Sequence, residues 1–356
     1  MITQRSAVLL CAALLAACQS QPAPRATARP STSPRPATSS PAPTVVVAVE
    51  TQSDVLLYRV DADRHATRVG QLQRPRGTSP LAVTLSRGVA PDACVVWGSP
   101  GPEDNGGVFP RAVRCYPWGD LVGRTVPVHG RPGYKVALRA DGGALAWTSS
   151  PSADSSESDL MDDQALVVAD YRRGAVTNVR ERLVYTGGDA ATVDVGCASF
   201  VYGVAWAGDR LLLECSGEND YPGGLVLQGQ DLLGAPRAVD DEDNPPYNYD
   251  TEVVTADRGS YLAVEGEYCE IECDDHQPPE ARRAVRVDLG SGRREVIATP
   301  AMNRDLLSVS GGDRGIVYVT EGSGPNRCYL RLPGEKHGVL ITGLPADVIR
   351  VFAPPT

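Results

Sequence analysis

Lysine is almost missing from this chain: among 356 residues only Lys135 and Lys336 carry it. The basic charge is therefore nearly all arginine, a mark of GC-rich coding and not of function. Histidine is also scarce, with His65, His129, His276 and His337 scattered over separate connections. No G-x-S-x-G elbow, H-E-x-x-H pair, phosphate-binding glycine loop or S-x-x-K motif occurs. That excludes the enzyme classes whose chemistry is written in one short stretch. No acidic run has EF-hand spacing, so calcium has no local signature here. Long periodic helix patterns are absent too, and no apolar run is long enough to cross a bilayer.

What is abundant is negative charge, turn residues and short apolar runs. Net charge is −10, and the residues before Thr44 hold Arg5, Arg25, Arg29 and Arg35 with no acid, so the remainder stands at −14. Taken as a whole, such a body repels nucleic acid and anionic lipid. No nucleic-acid partner is expected.

The first residues, "MITQRSAVLLCAALLAACQS", carry Arg5 and then an apolar run from Ala7 to Ala17. This is the anatomy of a secretory signal. The run ends in Leu15-Ala16-Ala17-Cys18, which resembles the lipobox of bacterial lipoproteins. The resemblance implies a signal peptide over residues 1–17 and a diacylglycerol on the Cys18 thiol. It places the protein in the cell envelope, lipid-anchored on the extracytoplasmic side of a bacterial membrane. Gln19, which is not Asp, favours the outer membrane where the host has two. Residues 18–43 follow as "CQSQPAPRATARPSTSPRPATSSPAP", with no aliphatic side chain larger than alanine, so this stretch cannot bury a core. It reads as a disordered Pro/Ser/Thr-rich tether of roughly 70 Å, at about 3.1 Å per residue.

From residue 44 to 356 the chain alternates short Val/Leu/Ile/Ala/Tyr runs with Gly, Asp and Pro. A hairpin recurs: "YKVALRADGGALAWTSS", "FVYGVAWAGDRLLLECS", "EVVTADRGSYLAVEG", "LLSVSGGDRGIVYVTEG" and, more loosely, "LAVTLSRGVAPDACVVWGS". Each is followed by two further strands, which gives four per unit at blade spacing. The expected fold is all-β, a six-bladed β-propeller with strands A to D from the axis outwards. Five blades span Leu81–Val128, Tyr134–Tyr185, Phe200–Val239, Glu252–Thr299 and Asp305–Thr342. "TVVVAVE", "VLLYRVD" and "ATRVGQL" supply B, C and D of one more blade, whose A strand is the C-terminal Asp347–Ala353. The last strand closes the ring and leaves no open edge between first and last blades. Arg139-Ala140-Asp141-Gly142 and Leu145-Ala146-Trp147 resemble the "SPDG-x-x-IAF" pattern of TolB-type propeller repeats. That resemblance implies the fold and leaves activity open.

Export makes disulfides plausible. Cys94 and Cys115 fall on strands B and C of one blade. Cys197 precedes strand A of another blade, and Cys215 lies on its strand B. Cys269 and Cys273 share one insertion, which leaves Cys328 unpaired. Cys269, Cys273 and His276 also offer a weaker zinc alternative, without a second ligand pair at finger spacing. In a propeller the B–C and D–A connections leave on one face, and here they are long and acidic. The candidate partner-binding residues there are Asp159, Asp162, Asp163, Asp220, Tyr221, Asp240, Asp241, Glu242, Asp243, Tyr247 and Tyr249. Carboxylates beside tyrosines suit a basic protein or a cationic ligand. The same acids would also serve solubility alone. The expected role is a non-enzymatic binding scaffold with no cofactor. A calcium-dependent propeller hydrolase or lactonase, with its site at the channel mouth, is the alternative.

Overall fold

A computed structural model describes residues 44–101, 108–150, 163–186, 201–215, 224–229, 232, 237–238, 252–256, 259–265, 282–301, 304–312 and 314–355. All of them lie in one compact unit, Ala42–Thr356. Cys18 and the rest of residues 1–43 lie outside the described residues.

Among the described residues there is no helix, only strands in six four-stranded antiparallel sheets. Blade 2 is β4 (Ser79–Leu85), β5 (Ala93–Pro100), β6 (Val108–Tyr116) and β7 (Arg124–Thr125). Blade 3 is β8 (Arg131–Leu138), β9 (Ala144–Ser150), β10 (Asp163–Arg172) and β11 (Ala175–Thr186). Blade 4 holds β12 (Val201–Ala207), β13 (Arg210–Cys215), β14 (Gly224–Gly229) and β15 (Arg237–Ala238). Blade 5 holds β16 (Glu252–Ala256), β17 (Ser260–Glu265), β18 (Arg283–Asp288) and β19 (Arg294–Ala298). Blade 6 comprises β20 (Arg304–Gly312), β21 (Gly315–Gly322), β22 (Arg327–Arg331) and β23 (Val339–Leu340).

Blade 1 is the split one: β1 (Val45–Glu50), β2 (Val55–Val60) and β3 (Ala66–Gln71) follow β24 (Arg350–Phe352) in the order β24-β1-β2-β3. The chain's last strand therefore docks as the inner strand of its first blade, with Glu50 opposite Arg350 and Ala48 opposite Phe352. This strand is shorter than the expected Asp347–Ala353. Pairing continues one residue upstream, where Ile349 N donates to Glu50 O at 2.8 Å. Val348 is buried in the core.

The apolar alternation explains the ring. Successive residues of a strand point to opposite faces, and in each blade the two faces feed two different neighbours. Val45, Val47 and Val49 pack with Val317, Val319 and Leu330 of blade 6, whereas Ala48, Val55 and Leu57 pack with Val83, Val95 and Trp97 of blade 2. Four further clusters join blades 2 and 3, 3 and 4, 4 and 5, and 5 and 6. No blade can bury both faces alone, so the blades fold as a closed set.

The seam between blades 1 and 6 is stitched by polar groups too. Ala66 N donates to Thr342 O at 2.8 Å and Thr342 N to Arg64 O at 2.9 Å. Arg64 is buried, with a φ of 65°, and its guanidinium reaches Leu330 O and the Glu335 carboxylate. The Leu332 amide and then Arg64 hold the Glu335 carboxyl below its ordinary range.

The seam between blades 1 and 2 contains a buried relay: Trp97 Nε1 donates to Tyr116 Oη at 3.0 Å, and Tyr116 Oη donates to Gln73 O at 2.8 Å. Burial pushes the Tyr116 phenol up to about 12. An acid whose folded pKa is raised stabilises the fold fully below its unfolded value, near 10. That contribution is lost as pH climbs from there to about 12. Wild type is therefore expected to lose more urea resistance between pH 10 and 12 than Tyr116→Phe. Parallel losses in the two proteins would discard this role for the phenol.

Candidate binding face

Each sheet is a simple meander from the inner strand outwards, so every B–C and D–A connection leaves from the same ends of its blade's strands. The connections on that face include residues 151–162, 187–200, 216–223 and 239–251. None of these four contains a lysine or arginine. The opposite turns are mostly tighter: Gly208-Asp209 closes β12 to β13 and Arg173-Gly174 closes β10 to β11. At the Arg139–Gly143 turn, Asp141 Oδ1 accepts Gly143 N and Arg139 Nε, each at 2.8 Å, and Gly142 sits at φ 69°. This is the hairpin whose sequence resembles the TolB-type repeat.

The inner strands β4, β8, β12, β20 and β24 line a central cavity of about 260 Å³. Two ion pairs stand at its wall, both near the strand ends that lead into the acidic connections. Arg350 meets Glu50 through both carboxylate oxygens, at 3.0 and 2.8 Å, and also donates to Leu81 O of blade 2 at 2.7 Å. Lys135 of blade 3 meets Glu214 of blade 4 at 3.0 Å. Both glutamate side chains are only 5% exposed. Buried charges of this kind hold their neighbours tightly, because losing one partner strands the other in a poor dielectric. Gly203 makes room for the second pair: a Cβ there would stand 2.3 Å from Glu214 Oε2. Tyr134 adds a half-exposed phenol ring to the same mouth. Lower in the channel, Arg139 stacks over Trp206 at 5.6 Å, while Trp206 Nε1 donates to Ala137 O at 3.0 Å.

Of the candidate residues read from sequence, Asp163 opens β10 opposite Thr186. Asp159, Asp162, Asp220, Tyr221, Asp240, Asp241, Glu242, Asp243, Tyr247 and Tyr249 lie outside the described residues. Cys94 and Cys115 do form the expected disulfide, directly opposite one another on β5 and β6. Cys215 ends β13, while Cys197, Cys269 and Cys273 lie outside the described residues, as does His276 of the zinc alternative. Cys328 is free and buried between blades 1 and 6.

The mouth pairs Glu50–Arg350 and Lys135–Glu214 escaped the sequence reading. A weak signal existed, since Glu50 is the lone charge in "VVVAVE" and Lys135 is one of two lysines.

No family model matches the chain, and no curated protein matches it. Solved structures do. TolB from Acinetobacter baumannii superposes with a TM-score of 0.51 at 11% identity, over 88% of this chain and 67% of that one. The likeness is one of fold. A nidogen/laminin complex gives 0.51 at 11% identity, over 87% of this chain and 98% of the matched chain. The putative TolB from Agrobacterium tumefaciens gives 0.50 at 11%, over 86% and 91%.

Proposed function

We propose that this protein is an envelope lipoprotein, anchored through Cys18, whose propeller binds a basic protein or cationic ligand on its B–C/D–A face. The observation that carries this reading is the acid-only composition of four neighbouring connections. Four connections from one face, residues 151–162, 187–200, 216–223 and 239–251, hold acids and no lysine or arginine. Connections on a rigid scaffold are where recognition concentrates, and the described strands of this scaffold pair Lys135 with Glu214 and Arg350 with Glu50 across about 3 Å at the channel mouth. A fixed, charge-paired floor under acidic loops suits binding without chemistry. One neighbour in fold is a propeller found in a complex of nidogen with laminin, which supports a protein partner in kind and not in name. The tether of residues 18–43 would carry the binding face clear of the membrane.

The test is a pull-down from solubilised host envelope with residues 44–356 as bait, run beside Asp240→Asn/Asp241→Asn/Glu242→Gln/Asp243→Asn. A partner held by the first bait, lost by the second and released by 0.5 M salt is the expected result, since exposed charges are screened over about 8 Å at physiological ionic strength and less at higher salt. Identical captures by both baits would reduce the acids to a solubility role. A chelator-sensitive hydrolase screen would then take over.

A further inference from the structure

On the face opposite the acidic connections, the turns of blades 2 and 3 gather exposed apolar and basic side chains. Blade 2 presents Val89 on its A–B turn and Leu121 and Val122 on its C–D turn, exposed by 58%, 37% and 57%. Leu121 is packed over Gly70 of β3, where an added Cβ would stand 2.8 Å from Leu121 Cδ2, and Val89 and Val122 are the two freely exposed tips. Around them stand Arg87, Arg124, Arg172 and Arg173, all exposed, and none in an ion pair among the described residues. The half-buried Trp118 lies on the same C–D turn.

These turns are built into one rim. Asp92 holds it together, accepting Trp118 N at 2.8 Å from its own blade and the Tyr171 hydroxyl at 3.1 Å from blade 3. Arg87 N donates to Ala140 O at 2.7 Å, joining the A–B turns of blades 2 and 3. The Arg173-Gly174 turn has positive φ at both residues, 47° and 79°, the two-residue hairpin form that keeps a tip short. It abuts blade 2 so closely that a Cβ on Gly174 would lie 3.0 Å from Pro117 and 3.5 Å from Arg124. The acids on this rim are engaged: Asp120 accepts Val122 N and Gly123 N, Asp141 binds Arg139, and Asp170 binds Asn178 and Arg180. Counting Arg139 and Arg180, six cations stand against four anions in a body whose net charge is strongly negative.

We propose that this rim seats the propeller on an anionic phospholipid bilayer, with Val89 and Val122 entering the interface and Arg87, Arg124, Arg172 and Arg173 meeting headgroup phosphates. Apolar tips beside exposed arginines match the composition that acyl chains and anionic headgroups select together. The overall negative charge does not prevent it. β8 spans eight residues, about 25 Å at 3.3 Å per residue, so the strand ends that lead into the acidic connections lie roughly three Debye lengths from the rim. The chain also enters the propeller on this side, because β1 begins at the A–B end of blade 1. The rim would then face the membrane and the acidic face would look away from it. The envelope reading supplies the bilayer, but the surface itself can be tested without it.

The probe is vesicles of phosphatidylglycerol and phosphatidylcholine in equal parts, against phosphatidylcholine alone, with the unlipidated unit Ala42–Thr356, which contains all six core clusters. Co-sedimentation with the anionic vesicles, weakened by salt, is expected. Each arginine near such a surface is worth roughly fivefold, so Arg124→Ala/Arg172→Ala/Arg173→Ala should weaken binding on the order of 100-fold. Val89→Ser/Val122→Ser should weaken it severalfold with the salt dependence kept, and neither variant should alter the urea midpoint. The proposal is overturned by equal binding to both vesicles, by an unchanged arginine variant, or by soluble glycerol phosphate competing at matched phosphate concentration. Mass spectrometry of the Cys18 peptide from the host reports separately on the anchor. An unmodified Cys18 beside intact vesicle binding would sink the lipoprotein reading and leave this surface standing.

Discussion

Truncation after Asp347 is expected to abolish cooperative folding, although it removes only nine residues. Three losses coincide. Val351 is fully buried in the seam between blades 1 and 6, and Phe352 is buried in the seam between blades 1 and 2. Removing a core Phe costs about 3–5 kcal/mol, and a fully buried Val contributes about 1.5 kcal/mol or more. Arg350 goes too, which leaves the buried Glu50 carboxylate without its bidentate partner, a break worth about 3–5 kcal/mol. The total approaches the whole stability of an ordinary domain, about 5–15 kcal/mol. Graded variants separate the causes. Phe352→Ala should cost about 3 kcal/mol in urea denaturation. Arg350→Met should cost a similar amount, and Glu50→Gln beside it should recover part, because the stranded charge is gone. A truncated chain with the wild-type urea midpoint would show that β24 is ornamental and that the ring closes some other way.

The clasp was readable because it followed from counting strands. "TVVVAVE", "VLLYRVD" and "ATRVGQL" lacked an inner partner, and the C-terminal run lacked outer ones. Hairpins such as Leu138–Leu145 were equally open, since an Asp-Gly turn between apolar alternations allows few other structures. Side-chain meetings across blades were not open in this way. Glu50 and Arg350 are 300 residues apart, and Lys135 and Glu214 are 79 apart. No local pattern encodes which inner-strand position faces which neighbour. The rim of blade 2 was hidden for a different reason. Nothing in the sequence marks Val89 and Val122 as exposed, and only the packed turns show that they point to water. Net charge misled in the same place, because a sum over the body conceals how the exposed arginines gather on the turns of blades 2 and 3.

Removing the Cys94–Cys115 bridge is expected to cost about 3 kcal/mol, by the chain-entropy argument for residues 21 apart. Both cysteines are fully buried and directly opposed on β5 and β6, so replacing each by alanine also leaves a small cavity that adds to the loss. The double variant Cys94→Ala/Cys115→Ala should therefore melt some 6 °C or more below wild type, at about 2–4 °C per kcal/mol for a larger domain. The blade should nevertheless keep its sheet, because Val95, Val96, Trp97 and Val113 remain in the clusters on either side. Cys328 supplies the internal control. Burial alone pushes its thiol up to about 12, so almost no thiolate exists at neutral pH and an alkylating reagent finds neither charge nor access. Peptide mapping after iodoacetamide should show Cys328 unlabelled in the folded protein and labelled in urea, with Cys94 and Cys115 reacting only after urea and reductant together. Native labelling of Cys328 would mean that the seam between blades 1 and 6 opens on the experimental timescale. An unchanged melting temperature in the double variant would mean that the bridge follows the fold and does not secure it.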